Sequence, residues 1–251
     1  MTIPREDVVI HLRRNAIAAV VTIFVLAVAC TFAWRVYHFA SRMQSGELTE
    51  ADLTFTGQYT ASNVASDAPV PDGEFDVATE DDPSLGPKDA VLTVVEFADF
   101  GCAYSREESF VVRSMASTFG DRVRFVYRDF PITELHPDAM NASEAAECAA
   151  EQGRFWEYHD KLYANQDDLS ESALVRYAAE LNLNQGEFKR CLASDRNLPE
   201  IEEDIAAGTT AGVRGTPTFF FNGIRIPGAI PEDVFIKLIE RFMSANDAAG
   251  S

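Results

Sequence analysis

Cys102 is the residue with the clearest chemistry. It sits in the string VLTVVEFADFGCAYSREESF, after the apolar run Val91-Leu92-Thr93-Val94-Val95-Glu96-Phe97. Two cysteines spaced Cys-x-x-Cys at a strand-to-helix junction make a redox dithiol. Here the spacing reads Cys102-Ala103-Tyr104-Ser105, so the position suits thiol chemistry but the local resolving thiol is a hydroxyl. A helix starting at Cys102 presents unpaired N–H groups and a partial positive charge, which favour a thiolate. Arg106 adds a cation, while Glu107 and Glu108 oppose it. Phe100-Gly101 reads as a turn that lifts Cys102 to the surface; the alternative is a buried structural cysteine.

A second constellation is Gly215-Thr216-Pro217-Thr218. Proline is tolerated at the start of a strand, and X-Pro bonds are where cis peptides occur. A cis Thr216–Pro217 bond beside the thiol would leave backbone groups ready to pair with an extended substrate. Thr216 and Tyr104 are the expected substrate contacts, and Ser105 is expected to donate a hydrogen bond to the Cys102 sulfur. Glu96 has two readings: a buried carboxyl beneath the thiol, costly unless neutral or paired, or a strand-edge glutamate facing water.

These residues need elements to hold them. The β-branched run at 91–97 predicts a strand buried on both faces. Residues 105–119 predict a helix with Phe110, Val111, Met115 and Phe119 on its apolar side. Residues 123–127 predict a second buried strand. The pattern is then helical over about 137–212, with Asn184 and Glu187 offering a capping box. Thr218–Phe221 and Ile224–Ile226 flank Asn222-Gly223, a strong hairpin signal. Residues 231–244 predict a closing amphipathic helix. This is a β-α-β unit followed by β-β-α, with a helical insertion between the halves.

The rest of the 251-residue chain bounds the setting. Net charge is −19, from 40 acidic and 21 basic residues, which argues against nucleic acid as a partner, since phosphate binding needs a basic face. Residues 16–34 carry no charge and approach the length of about 20 apolar residues that a span needs. Arg13 and Arg14 precede them, and Trp34 and Tyr37 sit at the exit, where aromatic belts lie. We therefore expect a cytoplasmic N-terminus at 1–15, an uncleaved transmembrane anchor at 16–37, and a C-terminal domain outside the cytosol. A cleaved signal peptide, with Ala27-Val28-Ala29 before Cys30, and a lipidated Cys30 are the alternatives. Residues 38–86, rich in Ser, Thr, Ala, Asp, Glu, Gly and Pro, read as an acidic flexible linker. The folded domain is expected at 87–245 and a short tail at 246–251. The four histidines, His11, His38, His136 and His159, are scattered, so no metal site is expected. His136, before Pro137, reads as a helix-entry residue. No cofactor is expected.

The chain resembles the DsbA-like thiol–disulfide oxidoreductases of the thioredoxin superfamily, in particular their membrane-anchored group. VVEFADFGCAYSRE, Tyr127-Arg128-Asp129-Phe130-Pro131, His136-Pro137, AAECAAEQGRFWEYHDKLY, FKRCLAS and GVRGTPTFFFNGIRIPG carry the resemblance. It implies an α/β thioredoxin-like fold with an α-helical insertion, Cys102 as nucleophile and a cis Pro217 facing it. It also implies a proton-transfer role for Glu96 and a disulfide between Cys148 and Cys191. Two buried free thiols are the alternative for that pair, and a role for one of them in resolving Cys102 ranks last. The sequence departs from the family at Ala103 and Ser105.

A lone thiolate still attacks a disulfide to give a mixed disulfide, and release then needs an outside thiol. That favours isomerase-like or reductase-like exchange over net oxidation. The expected partners are cysteine-containing exported proteins, with a thiol reductant or membrane redox partner. The rival expectation is a catalytically degenerate thioredoxin-fold module that binds or chaperones exported proteins.

Overall fold

The computed structural model describes Trp34 and residues 71–249. The chain divides into two units, Met1–Leu53 and Thr54–Ser251, and the fold below is that of the second. Among the described residues no helix is long and apolar enough to cross a membrane. The expected anchor at 16–37, Trp34 apart, and the expected linker up to residue 70 lie outside the described residues.

The expected β-α-β and β-β-α halves are present around a five-stranded sheet of order β1-β3-β2-β4-β5. Strand β1 spans Ser84–Leu85, β2 Leu92–Ala98, β3 Val123–Asp129, β4 Thr218–Phe221 and β5 Ile224–Pro227. Apart from half-buried Thr93, β2 is buried throughout, which is why it reads as a continuous apolar run. It pairs in parallel with β3 and antiparallel with β4, so Glu96 lies between Tyr127 and Phe219. A parallel pair needs a crossover, supplied here by α1, Ala103–Phe119. The β4–β5 hairpin turns on Asn222 and Gly223, with φ of 45° and 86°. Positive φ at both central residues is what a two-residue hairpin turn demands. Helix α7, Glu232–Ala249, seals one face, with Phe235 edge-on to Phe219 at 5.3 Å.

The segment 71–86 departs from the expected linker. Val77 is buried, Phe75 packs edge-on against Phe220, and the Phe75 N–H donates to the Gly223 carbonyl at 2.9 Å. Arg128 donates to the Val77 carbonyl at 3.0 Å, and β1 pairs antiparallel with β3. The domain therefore begins before residue 87. Phe75 and Val77 are few enough, among acids and prolines, to look solvated. They cover a sheet face that would otherwise expose Val95, Phe97 and Phe220.

The insertion contains α2 (Ala139–Ala150), α3 (Phe155–Ala164), α4 (Glu171–Glu180), α5 (Gln185–Leu192) and α6 (Leu198–Thr210). Small side chains on α2, among them Ala142, Ala145, Ala146 and Ala149, share one core with Tyr158, Leu162, Leu174 and Phe188. Asn184 caps α5, accepting from the Gly186 and Glu187 N–H groups. Its own N–H donates to Gln152 Oε1, so Gln152 takes the place expected of Glu187. A disulfide joins Cys148 of α2 to Cys191 of α5, with Cα atoms 5.8 Å apart. A loop of 43 residues should contribute about 4 kcal/mol in the chain-entropy treatment. Denaturant unfolding of the Cys148→Ala/Cys191→Ala double variant should show a loss of that order; a loss below about 1 kcal/mol would contradict that treatment.

Candidate active site

The site is assembled where β2 ends. Asp99, Phe100 and Gly101 lead from the strand, and Cys102 takes the N-cap position of α1 with extended backbone (φ −80°, ψ 123°). The sequence places Cys102 at the surface, whereas the structure buries it fully. The cause is Phe100, which is no surface-turn residue. Its ring is fully buried, stacked on Tyr127 at 5.3 Å and packed on Tyr163 at 5.0 Å. Anchoring that ring in the insertion's aromatic core draws the next two residues inward. The Cys102 thiol donates to the Thr216 carbonyl at 3.3 Å. The Thr216–Pro217 peptide is cis.

Three side chains that the sequence did not single out for the site hold this loop. Asp99 is fully buried, and its Oδ1 accepts from the Gly101 N–H at 2.7 Å. Its Oδ2 accepts from the Ile132 N–H at 2.8 Å and bonds His136 Nδ1 at 2.7 Å. An Asp two residues before a Gly, reaching forward to its N–H, is an Asx turn, so this signal was available in Asp99-Phe100-Gly101. Gln166, in the loop between α3 and α4, donates from Nε2 to the carbonyls of Phe100 and Cys102, both at 2.8 Å. Nothing local marks Gln166. His136 stands at the helix entry as expected, its carbonyl accepting from the Ala139 N–H at 3.0 Å, and it also closes over Gly101: a Cβ on Gly101 would stand 2.4 Å from the His136 Cβ.

Ser105 is fully buried. In place of the expected hydrogen bond to the Cys102 sulfur, its Oγ accepts from the Asp99 N–H at 3.4 Å. Tyr104 is half-buried on the first turn of α1. Thr216 is buried with its hydroxyl unpartnered.

Glu96 is buried in the central strand, which removes the water-facing reading. Burial holds its carboxyl well above the ordinary range, with the charge of Glu108 adding to the effect. Glu108 of α1 is also buried, and burial pushes its carboxyl up to about 8. One Glu108 oxygen accepts from the Ile230 N–H at 2.9 Å, and Oε1 of each glutamate lacks a partner. Burial thus favours the protonated form of both carboxyls. Glu108 was read only as a charge opposing Arg106; its buried position follows from α1 laying that face on the sheet.

A second polar cluster lies away from the thiol. Arg128 is buried and ion-paired to Asp82 at 3.1 Å and to Asp204. Asp82, Glu200 and Asp204 bring oxygens within 4.8 Å of one another. Asp129 accepts from Ser143 nearby. Arg128 already occupies Asp82 and Asp204, so the set reads as a charge network joining segment 71–86, β3 and α6. A groove of about 470 Å³ lined by Phe75, Val77, Thr93 and Asn222 lies towards the opposite end of β2 from Cys102.

A thiol at a helix N-cap position after the central strand, beside a cis X-Pro bond, places the chain among thioredoxin-like proteins. The profile described as thioredoxin matches residues 78–241. A thioredoxin-like oxidoreductase from Silicibacter pomeroyi DSS-3 superposes with a TM-score of 0.60 at 28% identity, covering 65% of this chain and 92% of that one. BdbD from Bacillus subtilis superposes with a TM-score of 0.59 at 24% identity, covering 65% and 93%, which bears on the fold alone. Among curated proteins, a Na(+)/H(+) antiporter NhaA 3 from Salinispora tropica is 41% identical over 195 residues, 78% of this chain. The match spans only 28% of that antiporter's length. The chain belongs to the thioredoxin family.

Proposed function

We propose that this protein is a membrane-anchored, extracytoplasmic thiol–disulfide exchange protein that works through the single thiol of Cys102. One observation carries the reading: the Cys102 thiol contacts the carbonyl of Thr216, beside the cis Thr216–Pro217 bond. That carbonyl is the group an extended substrate pairs with by strand addition. A substrate N–H taking it displaces the thiol from its hydrogen bond and brings a substrate disulfide alongside. The names of the oxidoreductase neighbours support the same chemistry. With Ser105 three residues on, the product of attack is a mixed disulfide, released by an outside thiol. The substrates are cysteine-containing exported proteins, and the outside thiol comes from a reductant or a membrane redox partner. The uncharged run at 16–34 supports an anchor that holds the domain outside the cytosol.

The second reading, a degenerate module that binds exported proteins, is favoured by the complete burial of Cys102. The two are separated by incubating the full chain and its Cys102→Ala variant with a disulfide-linked peptide, then measuring mass without reductant. Exchange predicts a peptide adduct mapped to Cys102 and absent from the variant. Peptide retained equally by both proteins, with no adduct, would establish the binding module instead.

A further inference from the structure

The Asp99–His136 pair has no part in the exchange as described so far. We propose that His136, held by Asp99, is the proton-transfer residue of the exchange at Cys102, taking the thiol proton and returning it to the leaving sulfur. This rests on the exchange reading above.

Three observations carry it. First, Asp99 presents a carboxylate oxygen to Nδ1 at 2.7 Å. A carboxylate only accepts, so Nδ1 is the donor, and in neutral His136 the lone pair is placed on Nε2. A buried acid that orients an imidazole in this way supports a proton-transfer base. Second, the ring is pressed against Gly101, the residue next to Cys102, so closely that a Cβ at 101 would collide with it. Third, the His136 side chain is 20% exposed while Asp99 is wholly enclosed. The ring thus reaches from the buried loop to solvent. Asp99 is the charged group that faces it and draws it towards the protonated form, against some burial. Glu134 and Asp138, its neighbours in sequence, are exposed.

The step balances without a further oxidant. Substrate backbone takes the Thr216 carbonyl and frees the Cys102 S–H. The proton passes to Nε2 as the sulfur attacks. One Cys102–S–S bond forms, the substrate disulfide breaks, and the departing sulfur takes the proton from the imidazolium. Cys102 is oxidised by the disulfide it reduces. In the return half an outside thiol gives its proton to His136 and attacks the substrate sulfur; a disulfide between the outside thiol and the substrate forms, the Cys102–S bond breaks, and Cys102 departs with the proton from His136. A dithiol site resolves the adduct with its second sulfur; here both halves depend on intermolecular proton movement.

The test is the rate of disulfide exchange of the full chain with 4,4′-dithiodipyridine from pH 5 to 9, with Cys102→Ala as the background. His136→Asn keeps an N–H for Asp99 and removes Nε2. It should slow exchange on the order of 100-fold at pH 6. Its profile should follow thiol ionisation alone, falling tenfold per pH unit, where the parent chain levels off. In the folded parent chain, the NMR titration midpoint of His136 should also move when Cys102 is replaced by serine. Superimposable profiles, with rates within twofold and an unmoved midpoint, would overturn the role of His136 and leave the exchange reading intact. A parent chain no faster than Cys102→Ala at any pH would overturn both.

Discussion

Replacing Ser105 by cysteine should change the fate of Cys102 from a lasting mixed disulfide to a closed internal one. Residue 105 is on the first turn of α1, three positions after the N-cap thiol, and is fully buried beside the strand end. Its present hydroxyl accepts one long bond, from the Asp99 N–H at 3.4 Å, so a thiol there sacrifices little. In the parent chain an adduct on Cys102 waits for a second molecule. With Ser105→Cys the resolving sulfur is held in the same turn, and intramolecular attack benefits from effective molarities that reach about 10⁵ M or more in well-oriented systems. Resolution should therefore accelerate by at least about 1000-fold over millimolar external thiol. Mass spectrometry after exposure to glutathione disulfide is the measurement. The parent should stop at a glutathionyl adduct on Cys102, and Ser105→Cys should lose the adduct and two hydrogens. A persistent adduct in the variant would mean that the loop held by Asp99 and Gln166 keeps the two sulfurs apart.

The largest stability effect is expected at Arg128. Its guanidinium is buried, paired to Asp82 and Asp204, bonded to the Val77 carbonyl and placed over the Phe97 ring at 5.3 Å. Arg128→Met keeps much of the volume and removes the cation, leaving carboxylates buried without it. Breaking such a pair costs about 3–5 kcal/mol, or a melting temperature lower by roughly 10 °C for a domain of this size. The deficit should depend on pH. Burial, with the neighbouring carboxylates adding to it, pushes Asp204 and Glu147 each up to about 8 and raises Asp82 and Asp129. Acids whose folded pKa is raised contribute stability that is fully present below their unfolded values, about 4. That contribution is lost as pH rises through the folded values near 8. The domain should therefore have a higher urea midpoint at pH 5 than at pH 8.5, and the deficit of Arg128→Met should be smaller at pH 5, where the carboxyls keep their protons. A deficit equal at both pH values would show that packing against Phe97, not charge, is what Arg128 supplies.

Much of the scaffold was legible because its signals are local. β2 is a β-branched run followed by a turn and a helix, so the junction at Cys102 follows from neighbours in the chain. Asn222-Gly223 states its own hairpin, since few other residues adopt those backbone angles. The crossover and the helical insertion follow from a change in apolar period. Cys102 and Ser105 are likewise sequence facts.

What the sequence left open depends on residues distant along the chain. Whether Cys102 is buried depends on Phe100 finding Tyr127 and Tyr163. Whether Glu96 faces water depends on which strands flank β2. Gln166 lies 64 residues from the carbonyl of Cys102 that it holds, and His136 lies 37 from Asp99. Segment 71–86 looks solvated until Arg128 and Phe220 are placed beside it. Periodicity and propensity report what a residue prefers among its neighbours; burial and hydrogen-bond partners belong to contacts that exist only once the chain has closed on itself.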